Sequence, residues 1–341
     1  MPASSLTKPR LPSRRRARGA RPSVGIGEVV APELVARLPP GIALKRLPLE
    51  PREPIEVEFW IAPVYRREAE HILPYLRGLR VIQSVLAGVD WLLELTPPGV
   101  TLCDGRGVHT TATAEWAVAA ILASLKLFPL YGDVQRAGVW RRRDEAEDVY
   151  RSLHCAPSPA YPAVRCEELR GKTVLIVGYG SIGAAIERML KPFGVQFLRI
   201  ARRPRRGVAA VSTLHELLPR AEVVVLTVPA TPETIGLIGA RELALMPRAT
   251  LLVNVARGSV VETGALLEAL RAHRMRAALD VTDPEPLPPG HPLWTAPNTL
   301  ITPHIAASSP LFMSRAITFA AGQLRRYLRG IPLRNVVTDC Y

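Results

Sequence analysis

The chain has 341 residues, 48% of them hydrophobic and 22% charged, with a formal net charge of +14. This is globular composition, too apolar for wholesale disorder and long enough for two domains at roughly 100–200 residues each. No apolar run reaches the ~18 residues of a membrane span, since the best, Ala114 to Phe128, is broken by Glu115, Ser124 and Lys126; no membrane partner is expected.

The charge is unevenly placed. Seven of the excess positive charges fall between Lys8 and Arg21, without an acid among them and with Pro9 and Pro12 interspersed. Such a stretch cannot bury enough apolar surface to offset its ordering entropy. Residues 1–21 are therefore expected to be a disordered basic tail, read as a dispensable extension, with nucleic acid disfavoured as a partner. Cys103, Cys155, Cys166 and Cys340 form no C-x-x-C pair and no metal-ligand spacing with histidine. No metal is expected, and with no secretory signal recognised the expected compartment is the cytoplasm.

Past the tail, strand-like runs at Val24–Ile26, Ala43–Leu47, Glu56–Ile61 and Leu79–Ser84 alternate with helical stretches. The last is followed by the turn Ala87-Gly88-Val89-Asp90. A long helix is predicted from about Thr113 to Gln135, and a long polar connecting loop from about Gly138 to Cys166. A second series then begins. Continuous apolar runs at Thr173–Val177, Gln196–Ile200, Glu222–Val228, Thr250–Val255, Arg276–Val281 and Leu300–Thr302 suit strands buried on both faces. Helical patterns at Ser181–Leu190, Thr213–Leu218 and Gly264–His273 lie between them, and another spans Pro310–Arg329. Alternation of this kind predicts α/β layers built on parallel sheets, and the six buried strands of the second series match the count of a full doubly wound dinucleotide domain.

Gly178-Tyr179-Gly180-Ser181-Ile182-Gly183 is a G-x-G-x-x-G that directly follows a strand and opens a helix, the context that gives the motif meaning. Gly178 permits the tight turn, Gly180 lets backbone approach a pyrophosphate, and Gly183 lets the helix pack closely on the sheet. At the end of the next strand, where an acid would select NAD, the sequence reads Ala201-Arg202-Arg203-Pro204-Arg205-Arg206. Guanidinium groups suit a 2′-phosphate. NADP(H), bound with help from Arg202 and Arg203, is thus preferred to NAD(H).

Three more signatures end predicted strands: Asn254-Val255-Ala256-Arg257-Gly258, Asp280-Val281-Thr282-Asp283-Pro284-Glu285-Pro286 and Thr302-Pro303-His304-Ile305-Ala306. Arginine, glutamate and histidine delivered to one sheet edge suit carbonyl chemistry. The arginine holds a carboxylate, the histidine moves a proton at the developing alkoxide, and the glutamate favours the protonated imidazole.

With these motifs and the run Thr227–Ile238, the chain resembles the D-isomer-specific 2-hydroxyacid dehydrogenase family from about Arg21 to Tyr341, and specifically its glyoxylate/hydroxypyruvate reductase-like members. The resemblance implies an α/β fold of two Rossmann-like/flavodoxin-like doubly wound parallel-sheet domains with a cleft between them, a substrate domain of residues 22–112 and 308–341 around an inserted dinucleotide domain of residues 113–307, and a homodimer. It makes Arg257 the carboxylate ligand, His304 the acid/base and Glu285 its partner. It places Val228, Pro229, Val255, Ala256 and Asp280 beside the cofactor, and gives the backbone of Ala87, Gly88 and Val89 to the carboxylate of a small 2-keto or 2-hydroxy acid. Trp60, Tyr65 and Trp140 are candidates for the pocket wall. Thr282 and Ala307-Ser308-Ser309 depart from the family pattern. The sequence leaves open a phosphite-type oxidoreductase and a non-catalytic, dinucleotide-sensing regulator of the corepressor kind.

Overall fold

The computed structural model describes residues 21–156 and 163–338. Except for Arg21, the basic tail lies outside the described residues, as does Cys340. The chain divides into two compact units, one of residues up to Val108 together with those from Pro310 on, the other of His109–Ser309.

In the first unit, five parallel strands form one sheet: β1 (Ser23–Gly27), β2 (Ala43–Leu47), β4 (Phe59–Ile61), β6 (Val81–Gln83) and β7 (Thr101–Cys103). The two-residue strands β3 (Ile55–Glu56) and β5 (Leu76–Arg77) pair with each other instead. The sheet order β2-β1-β4-β6-β7 is the flavodoxin-like one, reversing direction between β1 and β4. Helices α1 (Pro32–Val35), α2 (Arg66–Ile72) and α3 (Asp90–Leu95) follow β1, β4 and β6. Period-two alternation sorts β4 between two apolar layers. Phe59 and Ile61 join Val24 and Ile26 against Ile317 and Leu324 of the helix Phe312–Leu328, while Trp60 packs on the other face with Ile72 and Leu92. The expected strand Glu56–Ile61 is thus split in two, and β5 and β7 are additions to the expected set.

The second unit holds seven parallel strands: β8 (Thr173–Val177), β9 (Gln196–Ala201), β10 (Ala209–Ala210), β11 (Val223–Leu226), β12 (Leu251–Asn254), β13 (Arg276–Leu279) and β14 (Thr299–Ile301). Their order, β10-β9-β8-β11-β12-β13-β14, is that of a doubly wound dinucleotide fold with one further edge strand. Every residue of β11, β12 and β13 is buried, which is why these strands read as unbroken apolar runs.

Two expectations need correction. The long helix is two helices, α4 (Thr110–Leu125) and α5 (Phe128–Ala137), bent by 64°. Leu127 takes a left-handed φ of 54°, and Pro129, which lacks an N–H and would clash with the preceding turn, is tolerated only because it falls in the first turn of α5. The supposed loop after Gly138 contains a 3₁₀ turn (Trp140–Asp144) and the helix α6 (Glu145–His154). Acids fill the first turn of α6 and Arg151 and His154 its last, complementing the helix dipole. Arg151 also pairs with Glu147 one turn back, at 2.7 Å. Among the described residues no single helix is long and apolar enough to cross a membrane. Ala114, Ala117 and Ile121 of α4 are buried against Val174 and Ile176 of β8.

Candidate active site

Strand β8 delivers the glycine loop to the carboxyl edge of the larger sheet. Gly178 has a φ of +104°, and a Cβ there would stand 2.7 Å from the backbone of Thr227 and Val228, so only glycine fits against the strand end that carries Val228 and Pro229. Thr227 Oγ1 donates to the Gly178 carbonyl at 2.7 Å, and the amides of Gly178 and Tyr179 donate to Ile200 O at 2.9 and 2.8 Å. Gly180 caps the ten-residue helix α7 (Ser181–Leu190), and a Cβ on it would meet nothing within 4 Å. At Gly183 a Cβ would lie 2.8 Å from Ile176 Cγ2, so the helix rests directly on the strand. Open space over Gly180 and the helix N-terminus opened by Ser181 and Ile182 fit the pyrophosphate of a dinucleotide.

The arginine cluster follows β9 in a tight turn, where the amides of Arg205 and Val208 donate to each other's carbonyls at 3.0 and 2.7 Å. Arg202 and Arg203 are exposed at its start. Arg205, beside them, reaches back to the glycine loop. Its Nη2 donates to Tyr179 O at 2.7 Å and its guanidinium lies 5.4 Å from the centre of the Tyr179 ring. Arg199 is bound up with Glu187 of α7 through bonds of 2.5 and 2.6 Å.

The ends of β12, β13 and β14 bring Arg257, Asp280, Glu285 and His304 together. After β12, the buried Asn254 fastens the loop, accepting from Ala256 N at 3.0 Å and donating to Arg257 O at 2.9 Å. Val255 beside it is partly buried and Ala256 buried. Gly258 then runs hard against the chain after β13. A Cβ on it would overlap the Thr282 carbonyl and stand 2.6 Å from Asp283 N. Thr263 Oγ1 ties the same two segments by donating to Asp283 O at 2.6 Å.

His304 sits in a left-handed turn (φ 53°) whose amide donates to Asp280 O at 2.8 Å. The Asp280 side chain, 3% exposed, braces this turn: Oδ1 accepts from Thr302 Oγ1 (2.6 Å) and Ile305 N (2.8 Å), and Oδ2 from Ala306 N (2.8 Å). The bracing by Asn254 and Asp280 was not read from the sequence, although a buried polar residue closing an apolar strand is its signal. His304 Nδ1 meets Glu285 Oε1 at 2.5 Å. That hydrogen bond raises the His304 pKa above its ordinary value and outweighs burial, while the same bond lowers the Glu285 pKa. The positive charge of Arg257 lowers both by a smaller amount.

Ala87, Gly88 and Val89 lie in the first unit, between β6 and α3, with Val89 capping α3. Of the three aromatic candidates, Trp60 is fully buried, Tyr65 is 68% exposed and Trp140 is 78% exposed. Among the described residues no cluster of three or more His, Cys, Asp or Glu could hold a metal ion.

Comparison with known proteins agrees with this arrangement. The family model described as D-isomer specific 2-hydroxyacid dehydrogenase, NAD binding domain, matches residues 118–306. Glyoxylate reductase/hydroxypyruvate reductase of Mus musculus is 36% identical over 263 residues, covering 74% of this chain and 75% of that protein. Glyoxylate reductase of Aeropyrum pernix is 34% identical over 267 residues, 76% of each. A D-isomer specific 2-hydroxyacid dehydrogenase from Xanthobacter autotrophicus, crystallised with NADPH and MES, superimposes with a TM-score of 0.71 at 27% identity over 93% of this chain and 98% of that one. A dinucleotide fold with its glycine loop, an Arg–Glu–His set on adjoining strand ends and a family match over more than half its length make this chain a member of the D-isomer-specific 2-hydroxyacid dehydrogenase family.

Proposed function

We propose that the chain interconverts 2-oxo acids and 2-hydroxy acids, with NADP(H) preferred to NAD(H) and His304 as the acid/base. The observation that carries this reading is the 2.5 Å pair of His304 and Glu285 within the electrostatic reach of Arg257. When bound, the nicotinamide supplies the hydride for reduction or accepts it in oxidation.

The rest falls to side chains. Arg257 holds the substrate carboxylate through charge-assisted hydrogen bonds, which fixes the adjacent carbonyl. The Ala87–Gly88–Val89 turn adds backbone donors to that carboxylate. Because Nδ1 of His304 is engaged by Glu285, Nε2 is the atom that gives a proton to the carbonyl oxygen as it becomes a hydroxyl, and that takes the proton back in oxidation. Glu285 keeps the imidazole charged and oriented. Gly178–Gly183 would hold the pyrophosphate of the dinucleotide, Val228, Pro229, Val255, Ala256 and Asp280 its nicotinamide half, and Arg202 and Arg203 its 2′-phosphate. The NADPH-bound relative and the lack of an acid at the end of β9 support the cofactor preference. The homodimer belongs to the same reading and is checked by sedimentation.

The test is loss of nicotinamide absorbance with NADPH and NADH in parallel against a panel of 2-oxo acids. His304→Ala is expected to lower kcat by about 10²–10⁴-fold while NADPH still binds. Undiminished turnover in that variant would refute the assignment.

A further inference from the structure

The first unit contains a cavity that the chemistry above leaves unused. Its volume is ≈ 340 Å³, within the range of about 300–1,000 Å³ typical of sites that enclose organic ligands. It lies at the carboxyl edge of the five-stranded sheet, over the reversal of strand order. Gly27 ends β1, Ile61 ends β4, Leu49 follows β2 and Val85 follows β6, and all four line it. Open parallel sheets place their ligands in this crevice. Both apolar layers contribute wall: Trp60 and Ile72 from one, Ile61 and Ile317 from the other. Among the lining residues only Trp60, Tyr65 and Glu68 carry polar side-chain groups. Val29 and Tyr65, lining residues 67% and 68% exposed, keep it open to solvent.

Position links this chamber to the reaction. Two residues after Val85 begins the Ala87–Gly88–Val89 turn, at the same edge of the same sheet. A carboxylate held by that turn has an apolar chamber beside it for whatever the acid carries at its third carbon and beyond.

We propose that this cavity receives the substrate side chain, and that the substrates are 2-oxo acids with a bulky apolar side chain, branched aliphatic or aryl, in preference to glyoxylate or hydroxypyruvate. This rests on the reaction proposed above and deepens it. Glyoxylate has no side chain with which to fill the space, and the hydroxyl of hydroxypyruvate would leave water for a wall with few partners. A single methylene in an apolar pocket changes kcat/KM by about 10–200-fold. On that scale, 4-methyl-2-oxopentanoate and phenylpyruvate should exceed glyoxylate by about 10²-fold or more.

The experiment measures kcat/KM for these three acids and hydroxypyruvate, with NADPH, in the parent and in two cavity-filling variants, Val64→Trp and Ala31→Leu. Circular dichroism and melting temperature establish that each variant is folded; the milder Ala31→Leu serves if the other is not. The expected result is a preference for the bulky acids that falls at least 10-fold, relative to glyoxylate, in a folded variant. Best turnover with glyoxylate or hydroxypyruvate overturns the proposal and leaves the reaction class standing. If no acid turns over, the reaction as read is wrong, and calorimetry then decides the cavity separately. Binding of 4-methyl-2-oxopentanoate that the filling variant loses supports the cavity as an apolar acid site, and absence of binding overturns it.

Discussion

Gly258→Ala is the smallest change that tests whether two catalytic loops are held in register by direct backbone contact. Gly258 follows Arg257, and its missing side chain is what lets Thr282 and Asp283, just ahead of Glu285, pass so close. A methyl group would overlap the Thr282 carbonyl and lie 2.6 Å from Asp283 N. Carbon contacts are comfortable at about 3.5–4.0 Å, so relief requires the backbones to part by about 1 Å at Asp283 N and by about 1.5 Å at the Thr282 carbonyl. Gly258 is not among the glycines with left-handed φ, so the effect is steric and not conformational. Overpacking of this kind costs about 1–3 kcal/mol. The larger effect falls on activity, because the displacement separates Arg257 from the Glu285–His304 pair, and an error of about 1 Å in a reacting constellation costs about 10²-fold. Steady-state kinetics on the best 2-oxo acid, beside denaturant titration, measures both. Ser259→Ala, one residue on, is the control. A Gly258→Ala protein with parental kcat/KM and stability would refute the argument that this contact sets the geometry of the site.

Other consequences can be checked on the same footing. Because Glu285 raises the pKa of His304, reduction, which needs the imidazolium, should hold at low pH and fall as pH rises through the raised value; in Glu285→Gln that fall should move to lower pH, and an unmoved profile would exclude the pairing. The pair also stabilises the fold. The His304 contribution is complete below its ordinary pKa of about 6.5 and is lost as pH rises through the raised one, while the Glu285 contribution is complete above about 4.3 and is lost as pH falls through the lowered one. The difference in melting temperature between parent and Glu285→Gln should therefore be greatest between about pH 4.3 and 6.5. Asp280→Asn puts an amide where three donors converge, which should cost about 1–3 kcal/mol in urea titrations and reduce kcat more than it raises KM for the oxo acid. Ala201→Asp with Arg202→Ser should shift the NADPH:NADH ratio of kcat/KM toward NADH by about 10–100-fold, the value of one charge-assisted hydrogen bond; parental preference for NADH would sink the reading of the cluster.

Much of this was legible in the residues. Strands such as Val223–Leu226 and Leu251–Asn254 announce themselves because burial on both faces leaves no polar position. The glycine loop is readable because its spacing directly follows a buried strand and opens a helix, with Gly178 and Gly183 each held to glycine by a close contact. What escaped depends on tertiary context. The break at Leu127 turns on a proline that either ends a helix or begins one. Helix α6 is carried by charge order more than by apolar period. The approach of Gly258 to Thr282 joins strands whose sequence gives no distance, and Arg205 reaches Tyr179 O only because its turn folds back.

The first unit draws on both ends of the chain, and this sets the order of events during synthesis. After Val108 the ribosome adds about 200 residues before reaching Pro310, which takes about 10–40 s at 5–20 residues per second. Until the helix Phe312–Leu328 emerges, the face of the small sheet carrying Val24, Ile26, Phe59 and Ile61 lacks Ala316, Ile317, Ala320, Leu324 and Tyr327 and has only N-terminal residues such as Leu34, Val35 and Val85 to pack on. The inserted unit can complete its own core in that interval. The residues of the first unit that precede His109 are thus made about 10–40 s before the segment that completes their core. A truncation ahead of Phe312 would leave them without that segment permanently, and would remove Met313 and Ile317 from the wall of the cavity as well.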